Sequence, residues 1–278
     1  MLKLELIQKP EMTIAEYMAM NKAAWEQKVT FDIASDYYHV EHFRKGNNAM
    51  DAMVTEGLGK VRGMKLLQLQ CYIGMEALSL SRKGATVTGL DFCSNAISFA
   101  NKLSADEGLS ATFLDGNVYD IPDLIDETYD IVFSTYGSIC WLPDLKTWAQ
   151  SIYNLLKPGG YFFLVDFHPL LISFNLLRNK SVIHPYFNED QKPIRIRRSG
   201  TYADVNADIR TIEYNWNHSI SEILTSFINS KFILEKFEEH PHIPLDAFPG
   251  LVKEADGYNH VAGNKYPILF SLSARKKS

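Results

Sequence analysis

The sequence is poor in cysteine and lacks a long apolar run, and each shortage excludes a class of protein. Its three cysteines, Cys71, Cys93 and Cys140, form no C-x-x-C pair and no even set, so neither a disulfide framework nor a thiolate zinc site is expected. No stretch approaches the roughly 20 apolar residues that cross a bilayer, and the first residues carry no secretory signal. The sequence therefore predicts a soluble, cytoplasmic protein without a membrane partner.

Positive charge is also scarce. The 28 lysines and arginines are outnumbered by 33 aspartates and glutamates, and the net charge is −5 at pH 7. This balance, with no extended basic face and no appended recognition domain, indicates that nucleic acid is not a partner. An apolar share of 46% is enough for a well-buried core in a chain of this length. The oligomeric state is left open by the sequence.

The middle of the chain alternates strand and helix signals. Five apolar, β-branched runs predict strands, and they lie at 65–71, 85–91, 111–114, 129–134 and 161–167. Helical periodicity separates them: one helix is closed by Gly84, and another is capped by Asp144. Such crossovers predict a parallel sheet with helices on both faces. The predicted fold class is therefore α/β, with a doubly wound sheet.

Both flanks of this core carry signals of their own. Before it, Thr13 and Glu16 form a capping box, and the helix that follows presents one face made of Ile14, Tyr17, Met18, Asn21 and Trp25. After it, the segments 194–201 and 210–216 have strand character and predict a hairpin. A capped helix and two final strands, 232–237 and 267–272, complete the pattern.

The loop after the first strand is poor in glycine. It reads LLQLQCYIG and places Gln70, Cys71 and Tyr72 before its one glycine, Gly74. A dinucleotide site needs several glycines so that backbone amides can approach the pyrophosphate. Side chains of this size would crowd a pyrophosphate. The loop therefore disfavours an NAD-dependent oxidoreductase and favours a ligand without phosphates.

Polar residues downstream of this loop suit a nucleoside. Asp91 ends the second strand, where a carboxylate can accept both hydroxyl hydrogens of a ribose. Asn117 follows the third strand, where its amide can bond an adenine edge beside the backbone N–H of Val118. Ribose and adenine contacts without a phosphate cradle indicate S-adenosylmethionine as the cofactor.

Five motifs in order resemble the core of class I S-adenosylmethionine-dependent methyltransferases. They are LLQLQCYIG, VTGLDFCSNAISFA, FLDGNVYDIP, YDIVFSTYGSICWLPDL and LLKPGGYFFLVDF, between about Lys65 and Asp166. The first loop resembles that of a bacterial branch with an LQCxxG pattern. The end of the chain, with FSLSARKK, is similar to the end of that fold, where the last strand inserts antiparallel. The resemblance implies a mostly parallel, seven-stranded Rossmann-like sheet.

The resemblance also implies site residues and departures. The family commonly has an acidic residue and two glycines where this chain has Gln68, Gln70 and Tyr72, so the amino-acid end of the cofactor is expected to be held differently. Asn117 stands where an aspartate is usual, which keeps the hydrogen bond to adenine and removes a charge. The expected cofactor-binding residues are Gln70, Cys71, Gly74, Asp91, Phe92, Asn117, Val118, Ser134, Tyr38 and Arg44.

Two residues at strand ends are candidates for catalysis, His168 and Tyr136. Methyl transfer from a sulfonium is an in-line displacement in which the protein mainly positions donor and nucleophile, and a base is needed only if the acceptor must lose a proton. A histidine, with an unperturbed pKa of about 6.5, suits that role. An equally weighted alternative is that His168 only bonds the backbone at the end of its strand.

The insertion at 169–218 is expected to cover a small-molecule substrate. The candidate substrate residues are Trp141, Tyr202, Trp216 and His218, although ordinary packing explains each of them as well. The basic run Arg195, Arg197 and Arg198 either attracts an acidic substrate or forms a solvated strand edge.

A cluster of histidines after the core invites a metal hypothesis. His240, His242 and His260 show no recognised ligand spacing, and Pro241 and Pro244 predict a kinked loop there. No metal is therefore expected.

The chain is predicted to form a single methyltransferase domain in four parts. Residues 1–64 form an N-terminal helical cap, 65–168 the cofactor-binding core, 169–218 the insertion, and 219–278 the completion of the sheet. The leading hypothesis is an S-adenosylmethionine-dependent methyltransferase that acts on a small molecule. The rival is a non-catalytic protein of the same fold that binds S-adenosylmethionine or regulates another protein.

Overall fold

The computed structural model describes residues 12–174, 182–188, 190–244, 251–261, 263 and 266–278. Its α-helices are α1 (Ile14–Ala34), α2 (Val40–Arg44), α3 (Ala52–Leu58), α4 (Met75–Arg82), α5 (Ser94–Asp106), α6 (Ile121–Leu124), α7 (Leu145–Leu155), α8 (Pro169–Ser173) and α9 (Ile220–Asn229). Its strands are β1 (Lys65–Leu69), β2 (Thr86–Asp91), β3 (Ala111–Asp115), β4 (Tyr129–Thr135), β5 (Leu156–Phe167), β6 (Ile194–Ser199), β7 (Arg210–Asn215), β8 (Ile233–His240), β9 (His242–Ile243), β10 (Leu251–Lys253), β11 (Asn259–Val261) and β12 (Leu269–Arg275).

A seven-stranded sheet forms the centre of the molecule, in the order β3-β2-β1-β4-β5-β12-β8. The pairs among β1 to β5 are parallel, and β12 runs antiparallel to both β5 and β8. The predicted fold class is confirmed: a doubly wound, mostly parallel α/β sheet with an antiparallel last strand. The predicted hairpin is confirmed as well, because β6 and β7 pair antiparallel.

The sheet is covered on both faces because its strands bury side chains on both. In β1, Leu66 packs into one apolar cluster and Leu67 into the other, as expected when successive side chains point to opposite faces. Helices α4 and α5 supply residues such as Leu78 and Ala96 to the first cluster. Trp148 of α7 and Phe227 of α9 belong to the second.

Helix α1 begins at the predicted capping box, and the predicted face is buried except at its start. Thr13 and Glu16 bond each other's backbone N–H groups as expected, whereas Ile14 is 58% exposed. The buried face includes Asn21 and continues with Lys28 and Asp32. It is polar because α1 packs against the hairpin strand β7, where Asn21 bonds the backbone and Lys28 pairs with an acid.

Two other local predictions are corrected. The sequence pattern at 36–45 predicts a helix over that whole segment, but α2 begins only at Val40 because His39 adopts a left-handed backbone with φ of 50°. The stretch after β8 was expected to be a kinked loop, yet β9 pairs with β11 and β11 with β10. Strands of two or three residues are too short to show an alternating pattern. No helix in the described ranges has the length and apolar character needed to cross a membrane.

A glycine in β2 is required by close packing. A Cβ atom on Gly89 would lie 2.7 Å from Cδ1 of Phe113 and 2.8 Å from Sγ of Cys71. We expect Gly89→Ala to lower the free energy of unfolding by about 1–3 kcal/mol through overpacking, measured by denaturant titration. The same substitution should cost less in a Phe113→Leu background. An equal cost in both backgrounds would show that the ring is not the cause.

Candidate active site

A cavity of about 790 Å³ opens at the carboxyl ends of β1, β2, β4 and β5. Helix α1 and the hairpin β6–β7 contribute the opposite wall, through residues such as Trp25, Lys28 and Glu213. In doubly wound sheets ligands bind beyond the carboxyl ends of the strands, and the volume is in the range of small-molecule sites. The cavity is therefore the candidate active site.

Four non-glycine residues with left-handed backbones line this cavity. The φ angles are 50° at His39, 54° at Gln70, 49° at Tyr72 and 27° at Tyr136. Each such conformation costs on the order of 1–3 kcal/mol and is kept only where surrounding contacts fix it. Gln70 and Tyr72 thus adopt a left-handed backbone, the region that favours glycine.

Hydrogen bonds from three parts of the chain fix the loop between β1 and α4. The Tyr72 backbone N–H donates to Oδ2 of Asp91 at 2.8 Å, and the Tyr72 hydroxyl donates to Oδ2 of Asp32 on α1 at 2.7 Å. Nε2 of Gln70 donates to the carbonyl oxygen of Ser138 at 2.7 Å. The loop is thereby tied to β2, to α1 and to the loop after β4.

Asp91 lies at the end of β2 and lines the cavity together with Phe92. Its second oxygen, Oδ1, accepts the backbone N–H of Cys93 at 2.9 Å. Burial raises the pKa of Asp91 to about 6, although the N–H groups of Cys93 and Tyr72 oppose the shift. Each oxygen of a carboxylate has a further lone pair, so the side chain can still accept hydroxyl groups from the cavity.

Glu76 brings a second carboxyl group to the cavity, from the first turn of α4. Its Oε2 accepts Nε2 of Gln68 at 2.6 Å and Oγ1 of Thr135 at 2.7 Å. Burial raises the pKa of Glu76 to about 7, and the nearby carboxylate of Asp51 adds to the rise. A group with this pKa changes charge near neutral pH.

Asp166 shapes the loop after β4. Its carboxylate accepts the backbone N–H groups of Gly137, Ser138 and Ile139, the latter two at 2.9 Å. Tyr136, just before them, donates its hydroxyl to Oδ2 of Asp51 at 2.6 Å. Burial and the Asp51 charge raise the pKa of Tyr136 far above its usual value, so the phenol keeps its proton.

Five aromatic side chains from four segments meet inside the cavity; they are Trp25, Tyr38, Tyr72, Trp141 and Tyr202, and we call them the aromatic cluster. Neighbouring ring centroids are 5.0 to 6.2 Å apart, and the hydroxyl groups of Tyr38 and Tyr202 form a hydrogen bond. Contacts of this kind are favourable beyond the area that they bury. The cluster joins the N-terminal helix, the β1–α4 loop and the insertion.

An ion pair joins α1 to the hairpin. Nζ of Lys28 lies 2.6 Å from Oε1 of Glu213, and both side chains are 1% exposed. Nε of Arg198 lies 3.4 Å from the other oxygen of Glu213. The Asn21 amide adds a double hydrogen bond with the backbone of Tyr214, at 2.8 Å in each direction.

The structure brings together ten of the residues expected from the sequence. Those lining the cavity are Tyr38, Gln70, Cys71, Asp91, Phe92, Tyr136, Trp141, Tyr202, Trp216 and His218. Six others are placed outside its wall, namely Arg44, Gly74, Asn117, Val118, Ser134 and His168.

His168 and Arg44 are turned to other partners. Nδ1 of His168 accepts the Leu170 N–H at 3.2 Å, and Nε2 lies 2.8 Å from Oε1 of Glu239. Both ring nitrogens are therefore engaged, in keeping with the backbone-bonding alternative. The guanidinium of Arg44 lies 3.3 Å from the Asp106 carboxylate, on the outer side of α5.

The remaining four lie outside the cavity wall and make contacts within the fold. Oγ of Ser134 donates to the Leu69 carbonyl at 3.2 Å, and Oδ1 of Asn117 accepts the Tyr119 N–H at 3.1 Å. Val118 is buried in the apolar cluster on the α7 side of the sheet. Gly74 lets α4 approach the core, since a Cβ atom there would lie 2.5 Å from the Phe113 ring.

The basic run of the hairpin is divided by the alternation of β6. Ile194, Ile196 and Arg198 line the cavity, while Arg195 and Arg197 are exposed and outside its wall. The histidine cluster after the core forms a row in which the His242 and His260 rings are 5.6 Å apart. Within the described ranges no group of three or more potential metal ligands is close enough to hold an ion.

Sequence reasoning did not identify the charged side chains that together line the cavity wall. They are Lys28, Asp51, Glu76, Arg198 and Glu213. For Lys28 on α1 the sequence did carry a signal. Asn21, Lys28 and Asp32 are seven and four residues apart, and residues at these spacings share one face of a helix. Glu76 and Asp51 carry no comparable pattern.

Buried polar atoms without partners give a test of whether a polar ligand fits. Within the described part of the chain these atoms include Nε1 of Trp25, Oε1 of Gln68, Oε1 of Gln70, Nδ2 of Asn215 and Oδ1 of Asn217, all on cavity residues. A buried polar group left unpaired costs about 1–3 kcal/mol. The cavity wall thus offers unpaired donors and acceptors in addition to Asp91, and the residues fit a nucleoside that carries an amino-acid group.

Part of the chain is similar to known methyltransferases. Residues 67–164 match the family model described as a methyltransferase domain. Over 103 residues the chain is 34% identical to the methyltransferase phqN of Penicillium fellutanum, covering 36% of this chain and 31% of that protein. Over 150 residues it is 27% identical to the ubiquinone biosynthesis O-methyltransferase of Salmonella typhi, covering 54% of this chain and 58% of that protein. The chain thus spans between about a third and three fifths of the length of these relatives.

The fold has counterparts among solved structures. A putative S-adenosylmethionine dependent methyltransferase from Listeria monocytogenes superimposes with a TM-score of 0.56 at 15% identity, covering 81% of this chain and 97% of that chain. The fold is therefore that of class I S-adenosylmethionine-dependent methyltransferases. Together with the matched domain, it implies S-adenosylmethionine as the cofactor.

The Lys28–Glu213 pair predicts a large effect on stability. We expect Glu213→Gln to lower the free energy of unfolding by about 3–5 kcal/mol, because it leaves a buried ammonium without a counter-charge. Denaturant unfolding measures this, and Glu238→Gln, which breaks the exposed pair with Lys236, should cost at most about 1 kcal/mol. Equal costs would mean that the buried pair does not hold α1 to the hairpin.

The raised pKa of Glu76 predicts how stability depends on pH. An unfolded glutamate has a pKa of about 4.3, so the folded protein binds more protons between this pH and about pH 7 and loses stability as pH rises through that window. We expect Glu76→Gln, which cannot ionise, to gain on the order of 2–3 kcal/mol relative to the wild type between pH 4 and pH 8. A constant difference across this range would contradict the assignment.

Proposed function

We propose that this chain, whose residues 67–164 match a methyltransferase domain, transfers a methyl group from S-adenosylmethionine to a small-molecule acceptor. The observation that carries the proposal is the cavity at the carboxyl ends of the parallel strands, with Asp91 on its wall and unpaired polar atoms around it. The relative from Salmonella typhi, named for O-methylation in ubiquinone biosynthesis, supports a small-molecule acceptor.

The cofactor, when bound, supplies a methyl group on a positively charged sulfur, which is already activated for displacement. The chain's own residues bind and orient the cofactor and the acceptor, and they exclude water from the cavity. Asp91 accepts the ribose hydroxyl groups, and Phe92 beside it packs against the nucleoside. Orientation of this kind can contribute about 7–11 kcal/mol to lowering a barrier.

The acceptor occupies the part of the cavity under the hairpin in this proposal, and the hairpin β6–β7 serves as its cover. That part combines apolar walls, such as Leu171, Ile194 and Ile196, with the indole of Trp216. The aromatic cluster lies between α1 and the hairpin, where it keeps water away from the reacting atoms. An acceptor with an apolar body matches this lining.

Proton handling falls to the groups that face the cavity. Tyr136 donates its one hydroxyl proton to Asp51, so towards the acceptor its oxygen can only accept a hydrogen bond. Both ring nitrogens of His168 are engaged, with Leu170 and Glu239. Its role as a general base stays a prediction from the sequence. Methylation of an acceptor that is nucleophilic without losing a proton needs no base.

The alternative is a non-catalytic protein of the same fold that binds S-adenosylmethionine or regulates another protein. Such a protein would need only the part of the cavity that binds the cofactor. The extension of the cavity beyond Asp91 and Phe92 to Trp216 and His218 favours the enzyme, because this space is available to a second molecule.

Binding of S-adenosylhomocysteine, measured by calorimetry, tests the proposal. We expect Asp91→Asn to weaken binding by about tenfold or more, since it replaces a charged acceptor of two hydroxyl groups. Asp115→Asn is the matched control, because Asp115 ends the neighbouring strand in register with Asp91, is 44% exposed and lies outside the cavity wall. No binding to the wild type at millimolar concentration, or equal losses in the two variants, would contradict the proposal.

A further inference from the structure

Glu76 is an acid in the cavity wall that has no cation beside it. Its Oε2 accepts two neutral donors, from Gln68 and Thr135, and the other charged side chain close to it is the acidic Asp51. Of the described residues that line the cavity, the lysine and the arginine, Lys28 and Arg198, are both at Glu213. The charge of Glu76 is therefore left uncompensated within the described structure.

An unpaired acceptor lies next to this carboxyl group. Gln68 is 2% exposed, and its Oε1 has no hydrogen-bond partner in the described residues although its Nε2 is bonded to Glu76. Oε1 of Gln70, further along the same loop, is unpaired as well. The carboxylate of Glu76 and the unpaired amide oxygen of Gln68 beside it form a site without a positive charge. An organic ammonium group supplies that charge together with three N–H donors.

The order of strands indicates which end of the cofactor reaches this site. Asp91 ends β2 on one side of β1, and Thr135 ends β4 on the other. Glu76 accepts hydrogen bonds from Gln68 on β1 and from Thr135 on β4, so it lies on the β1–β4 side. A ligand whose ribose is held at Asp91 therefore extends across the end of β1 with its other end at Glu76.

We propose that Glu76, supported by Gln68, receives the ammonium of the amino-acid end of S-adenosylmethionine. This assignment rests on the proposed function and adds a cofactor-positioning residue in the first turn of α4. It explains how a loop with Gln70 and Tyr72 in place of glycines still provides acceptors for the amino group, through side chains.

Titration of Glu76 follows from the same contacts. With a pKa of about 7, the free protein carries this group partly protonated at neutral pH. The titratable groups that face it are Asp51 from α3, Tyr136 after β4 and Cys71 in the β1–α4 loop. Since none of these is a cation, an arriving ammonium favours the ionised form of Glu76, and a proton is released on binding.

The first experiment compares two ligands with Glu76→Gln. S-adenosylhomocysteine has the amino-acid end, whereas 5′-methylthioadenosine has the same nucleoside and thioether without it. We expect the substitution to weaken the binding of S-adenosylhomocysteine by about tenfold or more. The affinity for 5′-methylthioadenosine should change less than twofold. Glu56→Gln, on the exposed side of α3, is the control and should change neither. Equal losses for both ligands, or no loss, would overturn the assignment.

A second measurement uses the wild-type protein alone, in case the variant does not fold. Calorimetry at pH 7 in two buffers of different ionisation enthalpy gives the number of protons released. We expect about half a proton more for S-adenosylhomocysteine than for 5′-methylthioadenosine, and any contribution from Asp91 cancels because both ligands carry the ribose. Equal release would reject Glu76 as the receptor, while failure of the wild type to bind either ligand would reject the proposed function itself.

Discussion

The carboxylate of Asp91 holds together the two loops on which the cavity depends. It accepts the backbone N–H groups of Tyr72 and Cys93, and so fixes the ends of β1 and β2 relative to each other. The left-handed backbone at Gln70 and Tyr72 persists because these bonds, with the phenol of Tyr72 on Asp32, offset the strain. The loop thus holds side chains in a backbone region that favours glycine and turns them to the cavity.

The fold could be predicted largely from the sequence because the signals that specify it are local. The alternation of strand and helix patterns and the capping box at Thr13 each act over a few residues. The antiparallel last strand came from the resemblance of motifs. The short strands β9 to β11 were not predicted because two or three residues show no periodicity. The partners of α1 on β7 were not predicted because Asn21 and Tyr214 are 193 residues apart in the sequence.

The candidate site was predictable only where residues are placed by the backbone of the core. Asp91, Phe92 and Tyr136 lie on the cavity wall because strand ends put them there. Arg44 and His168 were chosen for their chemistry, and distant acids at 106 and 239 hold them elsewhere. Such pairings depend on how separate segments dock, which a motif does not record.

Helix α1 contacts both halves of the cavity, and this has a consequence for ligand exchange. Its Glu26 accepts the backbone N–H groups of Ser94 and Asn95 at the start of α5, while Asn21 and Lys28 hold the hairpin. The start of α5 and the hairpin are therefore both held by one helix, so any displacement of α1 loosens both together. Under the proposed function, entry of the methyl donor and departure of the methylated product would depend on the same movement of α1.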